Sequence, residues 1–275
     1  MPIKGLGGLN MIARKSVRSI SGRCVTHLIL GIGSIIMMMP FVWMISTSLK
    51  PLDEVFVYPP QWIPKVLCWQ NYIDAWNAAP FGRYLLNTVI IATLTTLGRV
   101  INCSFCAYAF ARLRFPGRNI LFMMVLATMM IPQQVVMIPV FYIMKVLGWI
   151  NTFQALIVPG LANAWGIFLL RQFFMTIPTE LEDAGRIDGC SRTGILLRIF
   201  IPLAKPALMT LVLFSVLWTW NSFVWPLILT NSDTVRPIQL GLAMFRGEIG
   251  QSAIAWTKLM AASVFATLPI FVVFL

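Results

Sequence analysis

Six long stretches of this 275-residue chain carry almost no charge: 24–49, 84–111 (broken only by Arg99), 119–144, 146–170, 206–232, and 259 to the end. Water is absent from a bilayer's hydrocarbon core, so a chain crossing it must satisfy every backbone polar group internally, and about 20 apolar residues of helix do so. The expectation is an all-α membrane protein of six transmembrane helices. Composition agrees, with 59% hydrophobic and 11% charged residues and a mean hydropathy of +0.82. The net charge of +12 would suggest nucleic acid for a soluble protein, but here the bases sit in short loops between apolar runs, where topology accounts for them.

Five bases precede the first run (Lys4, Arg14, Lys15, Arg18, Arg23), three lie between the second and third (Arg112, Arg114, Arg118), and five between the fourth and fifth (Arg171, Arg186, Arg192, Arg198, Lys205). The opposite side carries seven over longer loops. The positive-inside rule therefore places the N-terminus, the C-terminus and the 171–205 loop in the cytoplasm. The first run is too long for a signal peptide and lacks a small-x-small cleavage site before Lys50, so it reads as an uncleaved span. Residues 50–83 form an external segment rich in aromatics (Tyr58, Trp62, Trp69, Tyr72, Trp76), suited to the membrane interface or to an external partner. Pro40, Pro132, Pro139, Pro159 and Pro226 lie in or near the runs and kink or break helices by removing backbone donors. Kinked helices around a cavity suit a transporter, and ordinary membrane-helix prolines would look the same.

Several chemistries find no residues to carry them. Cys103 and Cys106 make a lone C-x-x-C without a second pair or a nearby histidine, which reads as small packing residues rather than metal or redox chemistry. His27, the one histidine, has no Ser or Asp partner at an interpretable spacing. No Gly-Lys pair exists, hence no P-loop, so any ATP is hydrolysed by another chain. All nine carboxylates fall in loops, leaving Arg99 as the clear intramembrane charge and disfavouring an ion-coupled carrier or channel. An integral membrane enzyme such as a lipid-linked transferase would need an acid cluster or metal-ligand set at the membrane face. The one acid cluster lies at 180–188.

That cluster belongs to the chain's single long charged module. Thr179-x-x-Glu182 after Pro178 fits a capping box, predicting a helix over 180–187, and Asp188-Gly189 supplies the turn. Ser191 can cap a second helix with Ile195, Leu196, Ile199 and Phe200 at helical spacing, until Pro202 and Pro206 lead into the fifth run. Ala184 and Gly185 lack bulk and would let another surface approach, while Glu182, Asp183 and Arg186 can offer it charge-assisted bonds. The alternative is an ordinary solvated loop. Acid-Ala-Gly at 183–185, two residues, Asp188-Gly189, nine residues, then Ile199-x-Ile201-Pro202 resembles the coupling loop of bacterial ABC-importer permeases.

The resemblance covers about 24–275, with Asn71-Tyr72 before the second span, Ala-Arg-Leu-Arg-Phe-Pro-Gly-Arg at 111–118, and Trp220-Asn221 in the fifth. The whole looks like a type I permease subunit of carbohydrate importers, in the maltose and glycerol-3-phosphate group. It implies a multi-pass protein of the bacterial inner membrane that is not itself an enzyme. A permease domain at 24–275, with a coupling loop at 176–205, would follow a cytoplasmic segment at 1–23. The implied partners are a second permease, two ATP-binding cassette subunits and an extracellular or periplasmic solute-binding protein, in a lipid membrane and without nucleic acid. This chain would bind no cofactor, ATP and Mg2+ being used by the ATPases. By resemblance, Glu180, Glu182, Asp183, Ala184, Gly185, Arg186, Asp188 and Gly189 would couple to the ATPase. The chain departs from the family where Glu-Ala-Ala is replaced by Asp183-Ala184-Gly185 and Leu before Pro by Ile201. It also lacks a short tail after the sixth span, which suggests truncation at Leu275.

Substrate-pathway candidates are Trp218, Trp220, Asn221 and Trp225, which combine stacking faces with an amide, plus Gln133, Gln134 and Asn163 at membrane depth. Each also fits interface anchoring or helix–helix hydrogen bonding. A sugar follows from the resemblance, with glycerol-3-phosphate or another small polar solute as the alternative.

Overall fold

Helix is the one regular structure these apolar runs can adopt, and among the described residues there is no strand. The computed structural model describes residues 7–249 and 253–274, with side chains over 25–246 and 256–273. Lys4, Leu275 and the side chains of Arg14, Lys15, Arg18 and Arg23 lie outside the described residues.

In chain order the helices begin with α1 (Gly7–Ser48), α2 (Gln70–Ala78) and α3 (Phe81–Arg112). Then come α4 (Arg118–Thr128), α5 (Gln133–Val146), α6 (Phe153–Ile157) and α7 (Ala164–Thr176). The charged module follows as α8 (Thr179–Ile187) and α9 (Arg192–Ile195), the latter passing through a π-helical stretch at Leu196–Phe200 into α10 (Ile201–Leu203). The chain ends with α11 (Lys205–Trp220), α12 (Val224–Leu229), α13 (Ile238–Ile249) and α14 (Ala253–Phe274).

Four helical stretches among the described residues are long and apolar enough to cross a membrane: Val25–Ser48, Phe81–Arg112, Phe153–Thr176 and Trp256–Val273. Two bent pairs raise the number to six. The third run is broken as its prolines predict: α4 and α5 meet at 98° where Pro132 occupies the α5 N-cap without an N–H to continue the ladder. The expected fifth run, 206–232, also divides. α11 stops at Trp220, and α12 resumes only at Val224. α1 runs without a break across residues 23 and 24.

α3 is the central post. Cys103, Ala107 and Tyr108 pack against Ile167, Leu170 and Phe174 of α7 and against Phe200, Ala207 and Leu211. At its other end Phe81 and Tyr84 join Trp220, Phe245, Ala261 and Ala266. Tyr84 Oη donates to Asp233 at 2.6 Å, and Asn87 Nδ2 to the carbonyls of Thr234 and Arg236 at 3.1 and 3.0 Å. These bonds hold the 230–237 loop on the head of α3. α1 instead turns Leu28, Ile29, Ile35 and Met37 outward, which suits a face toward lipid.

The aromatic external segment is anchored through the Asn71-Tyr72 pair. Asn71 Nδ2 donates to the carbonyls of Ser48 and Lys50 at 2.9 and 2.8 Å, and Tyr72 Oη lies 2.7 Å from Ser48 Oγ. The two amide bonds satisfy carbonyls at and just beyond the end of α1. Lys50 is fully buried, donates to the Gln61 carbonyl and stands 4.3 Å above the Trp43 ring. Burial pulls its pKa below the usual lysine range, against the opposing pull of Glu54.

Candidate functional site

Two features at opposite levels of the fold concentrate polar chemistry. The first is the α8–α10 module. α8 ends in a Schellman turn: Cys190 N–H donates to the Gly185 carbonyl and Gly189 N–H to the Arg186 carbonyl, at 2.9 and 3.1 Å, with Gly189 at φ +77°. Ser191 caps α9 as the sequence predicts, its Oγ accepting from Gly194 N–H at 3.1 Å. The capping box at Thr179 does not form. Pro178 takes the N-cap, and Glu182 points inward instead.

Glu182 is only 5% exposed. It accepts from Arg186 Nη2 at 2.6 Å and lies 3.9 Å from Arg112 Nε. Arg112, at the end of α3, also donates to the carbonyls of Phe174 and Ile177 at the end of α7 and covers the Phe200 ring at 5.0 Å. One guanidinium thus joins two long helices to the module. The expectation that Glu182 offers its charge outward is therefore corrected, because two arginines already hold it. Gly185 is corrected in the same way: a Cβ there would sit 2.9 Å from Ile199 Cδ1, so its lack of bulk seats α8 on the second helix rather than admitting a partner. Glu180, Asp183, Ala184, Arg186, Asp188 and Gly189 remain exposed, with Leu181 and Ile187 bare beside them.

The second feature is a cavity of about 720 Å3 whose walls are the helix breaks. Gln133 and Gln134 come from the α4–α5 bend, Gly160 and Asn163 from the α6–α7 break, Trp218 from the end of α11, and Trp225 from α12, with Thr88, Thr95 and Arg99 along α3. Non-helical backbone at membrane depth is tolerated where it lines a cavity. The volume falls in the range of small-molecule sites.

Of the sequence-predicted pathway residues, Trp218, Trp225, Gln133, Gln134 and Asn163 meet here. Trp218 packs edge-on against Trp165 at 5.1 Å, and Asn163 also caps α7, its Oδ1 accepting from Gly166 N–H at 2.6 Å. Trp220 is a correction. It is 4% exposed and its Nε1 donates to the Ala266 carbonyl at 3.0 Å, because two residues along a helix turn the side chain by about 200°. Asn221 returns its amide to the Leu217 carbonyl at 2.9 Å, and no atom of it lines the cavity. Sequence reasoning missed Arg112 and Thr95. Arg112 read only as a loop charge; the 3.6-residue spacing of Thr88, Ile91, Thr95 and Arg99 was the signal for a shared α3 face.

Comparison with known proteins identifies this architecture. Residues 103–275 match the family described as binding-protein-dependent transport system inner membrane component. The chain is 32% identical over 242 residues to the probable ABC transporter permease protein YurM of Bacillus subtilis (strain 168), covering 86% of this chain and 78% of that one. It is 32% identical over 250 residues to the sn-glycerol-3-phosphate transport system permease protein UgpE of Yersinia enterocolitica, covering 88% of each. It is also 32% identical over 245 residues to the arabinooligosaccharides transport system permease protein AraQ of Bacillus subtilis (strain 168), covering 88% and 86%. A chain in the structure of a bacterial ABC transporter that imports the acidic polysaccharide alginate superposes with a TM-score of 0.83 over all of this chain and 97% of that one, at 24% identity, a likeness of fold. The chain therefore belongs to the binding-protein-dependent transport system inner membrane components, the multi-pass permease subunits of ABC importers, which are not themselves enzymes.

Proposed function

We propose that this permease forms half of a solute pathway with a second permease, that one of two separate ATPases docks on α8, and that a solute-binding protein delivers a sugar or small polyhydroxy solute from outside. The relatives' names point to such solutes, and Trp218 and Trp225 with two glutamine amides provide the stacking faces and hydrogen bonds a sugar ring uses. The base distribution supports a cytoplasmic N-terminus, with α8 on the side where ATP is available. Residues 1–23 precede the permease domain of 24–275 as its cytoplasmic segment.

One observation carries the docking assignment: the inner face of α8 is fixed through Glu182 and Gly185, while Glu180, Asp183, Leu181 and Ile187 are left uncovered. A helix fastened on one side and bare on the other transmits force to what fastens it. Replacing both Glu180 and Asp183 by Lys should weaken ATPase retention by about 1–3 kcal/mol, the range for charge-assisted contacts. Co-purification across a salt series measures it. Unchanged retention at every salt concentration would remove α8 from the ATPase interface.

A further inference from the structure

We infer that the cavity takes a solute bearing a carboxylate or phosphate, held by Arg99 with Thr95. The inference rests on the transport reading above and narrows it from polyhydroxy solutes to those carrying a negative charge.

Arg99 lies within the span Phe81–Arg112, is 7% exposed and lines the cavity. Its Nε donates to the Gly160 carbonyl at 2.9 Å, while its Nη1 meets no acceptor. Among the described residues no carboxylate pairs with it, and no Asp or Glu lines the cavity or lies in any candidate span. The cavity wall thus carries one positive charge that no described residue balances. Uncompensated charge at membrane depth is costly, so it persists where it has work to do.

Thr95 stands one helical turn before Arg99 on the same α3 face. It is 2% exposed, and its Oγ1 is likewise without a partner. Both side chains press on Gly160, where a Cβ would fall 2.8 Å from Thr95 Cγ2 and 3.3 Å from Arg99 Nη2. A planar guanidinium and a hydroxyl on one wall match the several acceptor oxygens of a carboxylate or phosphate. A neutral sugar would use the hydroxyl but leave the charge unanswered. Trp218, Trp225 and the glutamines that also line the cavity are suited to the solute's uncharged body.

The test uses the assembled importer, with its second permease, ATPases and solute-binding protein, in proteoliposomes. ATP-dependent uptake is measured for two matched pairs of probes: digalacturonate against maltose, and glucose 6-phosphate against glucose. The wild type should move one charged probe better than its neutral counterpart, and which pair responds separates carboxylate from phosphate. Arg99→Gln should lower uptake of that charged probe by about 10- to 100-fold, the equivalent of one lost hydrogen bond to a charged group. Arg99→Lys should restore part of the loss, and in Arg99→Gln the ratio of charged to neutral uptake should fall. Thr95→Val, which keeps the shape, should reduce charged uptake severalfold and supplies an independent readout if Arg99→Gln fails to assemble. The inference is overturned if the wild type moves only neutral probes, if the variants lower charged and neutral uptake equally, or if Arg99→Gln sheds the second permease and so places Arg99 at a subunit contact. ATP-dependent uptake of neutral probes alone leaves the transport reading standing; no ATP-dependent uptake of any probe removes both.

Discussion

Glu182→Gln tests whether α8 is truly fastened to the membrane helices. The substitution preserves shape but removes the carboxylate that faces both Arg112 and Arg186, leaving Arg186 its weaker partner Asp183 at 3.5 Å. The side chains of Glu182 and Arg112 are 6% and 8% exposed, so water cannot replace what is lost between them. Removing one partner of a buried pair costs about 3–5 kcal/mol. Here the figure falls to about 2–3 kcal/mol, because Arg112 keeps its carbonyl acceptors at Phe174 and Ile177, and the half-exposed Arg186 can turn to solvent. The assay is a double-mutant cycle of Glu182→Gln and Arg112→Met in the purified importer, reading denaturant unfolding and solute-stimulated ATP hydrolysis together. Contact between the two residues predicts a coupling energy of at least about 0.5 kcal/mol, the threshold at which additivity fails for neighbours. Stimulated hydrolysis should fall more than basal hydrolysis. Additive effects, or an unfolding midpoint within error of wild type for Glu182→Gln, would refute the fastening.

Two further outcomes follow from local geometry. Gly189→Ala should cost about 1–2 kcal/mol, since Gly189 sits at φ +77° where a Cβ meets the carbonyl, while Gly189→Pro, with φ locked near −65°, should abolish uptake in a protein that still inserts; immunoblotting of membranes with an uptake assay separates the two. Trp220→Ala should lower stability by about 3–5 kcal/mol and deplete assembled complex, because the indole is buried and bonded to Ala266; a stable, fully assembled Trp220→Ala complex with only transport impaired would return Trp220 to the solute pathway.

The long spans were legible because lipid imposes a length and a hydropathy that no soluble element shares. The α8 turn was legible from Asp188-Gly189, and the α9 cap from Ser191, since both are set by local backbone chemistry. What escaped was set by side chains distant in sequence. Glu182 in the capping-box position looked like a local cap, and only the folded chain brings Arg112, seventy residues earlier, within reach of it. Trp218 and Trp220 were indistinguishable by composition; the phase of α11, fixed by what it packs against, sends one to the cavity and the other to α14. The bend at Pro132 was signalled by the proline, but its 98° angle depends on tertiary packing.

The close approach of α3 to its neighbours bears on how freely this sequence can drift. A Cβ at Gly98 would lie 2.5 Å from Leu161 Cδ2, and one at Gly166 would lie 2.8 Å from Leu211 Cδ1 and 2.9 Å from Cys103 Sγ. In lipid, helices associate by fit rather than by escape from water, so these contacts bear much of the cohesion. A saturation scan should return a sharply divided map. Substitution at the glycine seams would be depleted almost without regard to polarity, whereas the outer face of α1 would accept any apolar residue and reject mainly charge. Homologous importers could then diverge over most of their lipid-facing area while the seams hold the same spacing, and new solute preferences could arise at the cavity wall without disturbing the joint that carries the helices.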